Sequence, residues 1–209
     1  AVTVVSRSCA SAIAQRFDLQ SKPHVITNGY DPEELTDVQP YNFGHRAIVY
    51  TGTFYPPKRL ITPVMAALKR LRQSKDGYSA EWYFHYYGNG DGEMHVREEA
   101  NRFGVMDRVV LHGIVSRTEA LSAIRGATVA VVITSIFDNA SLEDKGIVTG
   151  KVFEPLGLGT RILLIAPSGS DATEIVEETG VGRSFVGTDI EGIVGFLSNI
   201  GRTDRKSVV

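Results

Sequence analysis

The stretch RVVLHGIVSRTEALSAIRGATVAVVIT, residues 108–134, decides the fold. Residues 108–112 and 128–134 are short, apolar and rich in Val, as expected for parallel strands buried on both faces. Between them, residues 117–124 follow a helical period. Gly126 then comes where a glycine can adopt the left-handed conformation that ends a helix. Strand, helix and strand in this order imply a parallel pair joined by a right-handed crossover.

The same alternation runs outward in both directions. Strand-like runs fall at 3–6, 24–27, 47–51, 81–87, 161–166 and 183–186, and helix-period stretches at 8–17, 59–72, 93–103, 151–158, 172–178 and 190–200. Gly104, Gly159 and Gly180 follow helical runs as Gly126 does. The expected fold class is α/β, a Rossmann-like parallel sheet with helices on both faces. Ligands of such sheets sit beyond the C-terminal ends of the strands, so the loops after Thr51, Tyr87, His112 and Thr134 are where a site is sought. Two segments break the rhythm. Residues 28–45 are polar, contain Asp31-Pro32 and Gln39-Pro40, and read as a linker. Residues 135–149 form a connection far longer than the usual ~2–6 residues, a length often associated with function.

Composition excludes several classes. With 22 basic against 24 acidic side chains in 209 residues, the net charge of −2 offers no global field for a nucleic-acid backbone or an anionic membrane. Cys9 is the one cysteine, which excludes an internal disulfide and a Cys-cluster zinc site and fits a reducing compartment. No run approaches the ~18 apolar residues of a membrane span, and no signal peptide opens the chain. The first residue is Ala1 rather than Met, which leads to the expectation that the chain was cut from something longer.

Three glycine-bearing turns are candidate site loops. In the first, Gly52-Thr53-Phe54-Tyr55-Pro56-Pro57-Lys58-Arg59, the glycine lets the chain turn at a strand end and two cations arrive where a helix is expected to start. A helix N-terminus with Lys58 makes an anion site; the alternative is a solvated turn with surface cations. The second, Tyr87-Gly88-Asn89-Gly90-Asp91-Gly92, lacks the G-x-G-x-x-G fingerprint and reads equally as close backbone approach to a ligand or as a flexible turn. The third, Gly146-Ile147-Val148-Thr149-Gly150-Lys151, is not a phosphate loop of the NTPase kind. Its spacing is one residue short, and Val152 stands where Ser or Thr would hold magnesium. What survives is a turn opening a helix, with Lys151 on its first turn and Glu154 about a turn later. That carboxylate can accept from a vicinal diol such as ribose, or can simply face the helix dipole. Pro155 implies that this helix starts late or bends. His85 and His112 read as strand or core residues, no His spacing suits a metal, and Asp138, Glu143 and Asp144 read as solvated.

Taken in order, five phrases resemble the C-terminal domain of the family-four retaining glycosyltransferases of GT-B fold (glycosyl transferases group 1). They are VITNGYDPEEL at 25–35, IVYTGTFYPPKRL at 48–60, YYGNGDG at 86–92, VVLHGIVSRTEALSAIRGATVAVVI at 109–133 and TGKVFEPLGLGTRILLIAPSGSDATEIVEETGVG at 149–182. The resemblance implies that residues 1–27 are the tail of an N-terminal acceptor-side domain and 28–209 a nucleotide-sugar-binding domain. It implies catalytic roles for Lys58, on the donor diphosphate, and for Glu154, on the ribose hydroxyls. Gly113, Ile114 and Val115 would contact the base, and Gly52, Thr53, Arg59, Gly88, Asn89, Thr149, Gly150 and Lys151 would complete the donor site. It implies no cofactor and no metal; the donor is a substrate. The implied function of the parent is transfer of a hexose-type sugar to a glycan or lipid-linked acceptor, in the cytoplasm, with room for peripheral membrane attachment. The chain as given is expected to bind nucleotide without transferring sugar.

Two departures from the pattern stand out. The arginine that the family often carries near Thr53 is missing, and the first of its paired glutamates falls at Gly146. A non-catalytic binding or interaction domain of the same fold is therefore the competing reading. A sugar-nucleotide epimerase is the third, and the chain shows no convincing set of acid/base carboxylates and histidines for it.

Overall fold

A computed structural model describes residues 1–74 and 82–203. Eight strands and nine helices are described: β1 (Thr3–Val4), α1 (Arg7–Arg16), β2 (His24–Val25), α2 (Pro32–Thr36), β3 (Arg46–Thr51), α3 (Thr62–Gln73), β4 (Trp82–Tyr87), α4 (Gly90–Phe103), β5 (Val109–Leu111), α5 (Arg117–Gly126), β6 (Val129–Ile133), α6 (Leu142–Lys145), α7 (Gly150–Gly157), β7 (Ile162–Ile165), α8 (Asp171–Thr179), β8 (Gly182–Phe185) and α9 (Ile190–Thr203). The expected strand at 81–87 is observed from Trp82, with residue 81 outside the described residues.

Strands β3 to β8 form one parallel sheet in the order β5-β4-β3-β6-β7-β8, and β1 and β2 pair separately. This is a Rossmann-like α/β sheet, and its strand order reverses between β3 and β6. Side chains alternate across it. Ile48, Tyr50, Trp82, Phe84, Tyr86, Val129 and Val131 pack on one face with Val64, Met65, Leu68, Val96, Ile193 and Leu197 from α3, α4 and α9. Ala47, Val49 and Ala130 face Ala123 and Ile124 of α5, while Val132, Ile162 and Leu164 face Val152 and Phe153 of α7. Both faces are dry, which explains the near-continuous apolar strands. Among the described residues, no helix is long and apolar enough to cross a membrane.

Four local expectations need correction. The helix expected from Arg59 begins at Thr62, with Pro63 in its first turn; Arg59 instead bridges back to Tyr55. Lys58 therefore does not stand at a helix start. The linker contains α2, capped by the Asp31 carboxylate accepting from Glu33 N, and it buries Leu35 and Val38. The long connection contains α6, capped by Ser141, and its carboxylates are not simply solvated. Asp144 accepts from Lys58 at 2.6 Å and Asp138 from Ser168 N at 2.9 Å. Finally, of the late start or bend expected at Pro155, the late start is not observed: α7 begins at Gly150, so Pro155 lies inside it, where it leaves the i−4 carbonyl without its usual donor.

Candidate functional site

The cleft lies where three strand ends and two helices, α5 and α7, converge. It encloses about 290 Å³ and is lined by Thr51, Gly52, Tyr87, Gly88, Ile114, Val115, Arg117, Ala120, Lys151 and Glu154. This is the crevice at the reversal of strand order, where an open parallel sheet leaves room between diverging crossovers. Backbone bonds hold the three strand-end loops together: Gly52 N donates to Tyr87 O at 2.7 Å and Gly88 N to Gly113 O at 2.9 Å. The buried Tyr86 hydroxyl donates to Gly52 O at 2.9 Å. Burial pushes both Tyr86 and Tyr87 up to about 12, so both phenols are neutral donors.

Among the described residues, Lys151 and Arg117 are the two cations lining this cleft, and Lys151 is the one not ion-paired with a carboxylate. It rises from the first turn of α7 and lies 4.9 Å over the Tyr50 ring. Burial lowers it to about 8, against the opposing pull of the Glu154 carboxylate and with help from the Arg59 charge. Gly52, at φ 109°, makes room for it: a Cβ there would fall on Lys151 Nζ and Cε. Gly52→Ala should therefore displace the ammonium and strain the turn, at a cost of about 1–3 kcal/mol. A thermal unfolding curve should show the drop in melting temperature.

One turn further along α7, Glu154 Oε1 accepts from Arg117 Nη1 at 2.6 Å. Arg117 also grips Glu34 of α2, through Nε to Oε1 at 2.8 Å and Nη2 to Oε2 at 3.0 Å. Part of the rim is apolar: Ile114 is 82 % exposed beside the half-buried Val115. An exposed isoleucine in a concave site offers a flat ligand a dry contact.

The structure thus gathers Gly52, Gly88, Ile114, Val115, Lys151 and Glu154 into one cleft, with Gly113 bonded just behind. Asn89 caps α4 by accepting from Gly92 N, and Thr53 O accepts from the Tyr50 hydroxyl. Thr149 is the N-cap of α7, and its buried Oγ1 has no hydrogen-bond partner. Gly150 follows as the first residue of that helix. Lys58 is not among the lining residues; it forms its ion pair with Asp144. Arg59 lies 5.0 Å over the Tyr55 ring. Gly146 is packed against α1: a side chain there would meet Cys9 N and Ser6 Oγ, so a glutamate at 146 does not fit this arrangement.

Arg117 is not among the residues the sequence suggests, and Tyr87 opens a candidate loop without a role of its own. Nothing local distinguishes the one from a surface arginine or the other from a packed tyrosine. Among the described residues, no cluster of His, Cys, Asp or Glu could hold a metal ion.

No known protein family is matched by the sequence, and no curated protein is detectably similar to it. Solved structures do share the fold. Anabaena HepE, in complex with UDP-glucose, superposes with a TM-score of 0.72 at 14% identity, over 98% of this chain and 55% of that one. The lipopolysaccharide outer core galactosyltransferase WaaB gives 0.63 at 18% identity, over 97% and 53%. A putative UDP-N-acetylglucosamine 2-epimerase from Listeria monocytogenes gives 0.52 at 14% identity, over 97% and 45%. The chain spans about half the length of these structures. The architecture is that of GT-B glycosyltransferase domains, and at these identities the likeness concerns the fold.

Proposed function

We propose that this chain is the nucleotide-sugar-binding part of a retaining glycosyltransferase whose donor lies in the Gly52–Gly88–Lys151–Glu154 cleft. The observation that carries the reading is the placement of a half-buried cation and a carboxylate on one helix, α7, across a cleft formed by three strand ends. Lys151 and the free N–H groups at the start of α7 face the diphosphate, with the unpartnered Thr149 hydroxyl beside them. Glu154 accepts from the ribose hydroxyls, and the base lies on Ile114 and Val115. In transfer, the departing diphosphate gathers negative charge, and a fixed ammonium with helix N–H groups stabilises it more than it stabilises the intact donor. The reading needs no metal. Lys58 reaches the diphosphate only after its ion pair with Asp144 opens, so Lys151 takes the leading role.

The rest of the reading concerns a longer parent. Residues 1–27 belong to an acceptor-side domain and 28–209 to the donor domain; the separate β1–β2 sheet supports the division. The sugar passes to a glycan or lipid-linked acceptor. Fold alone does not choose between a transferase and an epimerase, since one fold hosts both. The cleft lining favours transfer: it contains Lys151, Arg117 and Glu154 and no histidine.

Calorimetric titration with UDP, GDP and dTDP tests the site. One of them should bind below millimolar, EDTA should leave the affinity unchanged, and Glu154→Ala should weaken it roughly tenfold. Absence of binding by all three, or an unaffected Glu154→Ala, defeats the assignment. Because a glutamate at 146 does not fit, a non-catalytic binding module remains the second reading. Sugar transfer by a parent containing the acceptor domain, lost in Lys151→Ala, decides against it.

A further inference from the structure

The geometry points to Arg117 as a positioning residue that gives the cleft its preference for ribose over 2′-deoxyribose. This rests on the reading of Glu154 as the ribose ligand. A carboxylate that accepts from two vicinal hydroxyls must hold both its position and its plane. A glutamate alone reaches that state only by giving up rotamer freedom. Here Arg117 Nη1 holds Glu154 Oε1 at 2.6 Å, while Oε2 takes no hydrogen bond among the described residues and is left for the ligand.

Arg117 is itself fixed. Its Nε and Nη2 close a two-pronged bond on Glu34, at 2.8 and 3.0 Å. The paired carboxylates raise the guanidinium above its ordinary value, so it stays charged throughout any usable pH range. The segment bearing Glu34 is pressed onto α7 as well: a Cβ at Gly157 would meet Leu35 Cδ1 and the Tyr30 ring. The planar fork therefore ties α2, α5 and α7 at one point, a geometry that an ammonium cannot reproduce. Arg117 acts on the ligand through Glu154.

The effect should appear as selectivity more than as affinity. The test takes whichever of UDP and GDP binds more tightly and titrates it beside its 2′-deoxy form. The unsubstituted chain should prefer the ribose form by roughly tenfold or more, because a site built to pair a hydroxyl rejects its absence. Arg117→Gln should bring the two affinities within about threefold, as should Glu154→Gln. Glu34→Gln, which leaves the guanidinium in place and loosens it from the exposed side, should move the ratio in the same direction. Lys151→Ala should weaken both nucleotides and keep the ratio.

An Arg117→Gln chain that retains the full ratio while Glu154→Gln loses it overturns the positioning role and spares the ribose assignment. An unchanged ratio in Glu154→Gln removes the ribose assignment and this inference with it. A thermal unfolding curve on each variant separates a lost fold from a lost preference; if Arg117→Gln does not fold, Glu34→Gln decides the question by the same ratio.

Discussion

Replacing Lys151 by methionine is expected to weaken nucleotide binding severely and to make the ligand-free protein more stable. Both effects have one cause. The ammonium is buried beneath Gly52 and over the Tyr50 ring, and that burial lowers it to about 8. An unfolded lysine stays protonated to about 10.5. Below pH 8 the folded protein therefore carries the full cost of a poorly hydrated charge. Methionine fills a similar volume without that cost. The net gain at pH 7 should be on the order of 1–2 kcal/mol, less than the whole desolvation cost because the contact over Tyr50 is lost too.

The sign with pH is definite. Between about 8 and 10.5 the folded lysine has released its proton while the unfolded one retains it, so the stability of the unsubstituted chain rises with pH there. The advantage of Lys151→Met should shrink over the same window. Binding of an anionic diphosphate runs the other way: it favours the ammonium and should weaken as pH passes 8. Loss of the ammonium should cost roughly thirtyfold or more in affinity, the scale of one charge-assisted hydrogen bond. Urea unfolding and calorimetry at pH 7 and pH 9.5 measure both effects. A Lys151→Met chain that is less stable at pH 7, or that binds as well as before, contradicts the account.

The second large effect is loss of stability in acid, centred on three histidines. His45 Nε2 lies 2.8 Å from His85 Nε2, and His85 Nδ1 lies 2.9 Å from His112 Nε2. The His112 ring stacks on Tyr87, a wall of the cleft, with centroids 4.0 Å apart. The other faces are closed by the Phe43 and Tyr83 rings, with the Arg108 guanidinium beyond Tyr83. Each N···N contact needs one hydrogen, and three neutral rings supply them in order. One extra proton can be accommodated, on His85 for example, but a second sets two N–H groups against each other.

Burial and the two neighbouring imidazoles push His85 down to about 4, and burial also lowers His45 and His112. As pH falls from about 6.5, the unfolded chain takes up protons that the folded chain refuses, so stability falls toward pH 4. The expected loss is about 2–3 kcal/mol between pH 7 and 4.5 from these rings alone. His85→Leu should start lower at pH 7 by about 1 kcal/mol, having lost two buried bonds. It should then show a shallower pH dependence than the unsubstituted chain. Parallel slopes in urea unfolding would remove the cluster from the explanation of acid sensitivity.

This cluster shows where reading along the chain stops. His85 and His112 were expected in strands; His85 lies in β4 and is 4 % exposed, while His112 falls just past the end of β5 and is half-buried. That they join His45 in one hydrogen-bonded row depends on β3, β4 and β5 lying side by side. The same limit explains the two lysines. Lys58 and Lys151 both adjoin glycine turns near the site, and the sequence favoured Lys58. Its partner Asp144 is 86 positions away, in a helix that the polar composition of 135–149 concealed.

What the amino-acid order determines by itself is whatever neighbours along the chain can settle. Periods of two and of about three and a half residues, with glycines at helix ends, already specified parallel crossovers, two buried sheet faces and loops on one edge. Gly52, Gly88, the turn at Gly113 and the helix bearing Glu154 were legible for that reason. Only the tertiary structure decided which charge faces which. Ion pairs depend on distances across the fold, set by strand order and helix placement, and an arginine at a helix start has no partner until those are known. Arg117 finds Glu34 and Glu154, respectively 83 and 37 positions away, because packing of α2, α5 and α7 brings three separate segments to one point.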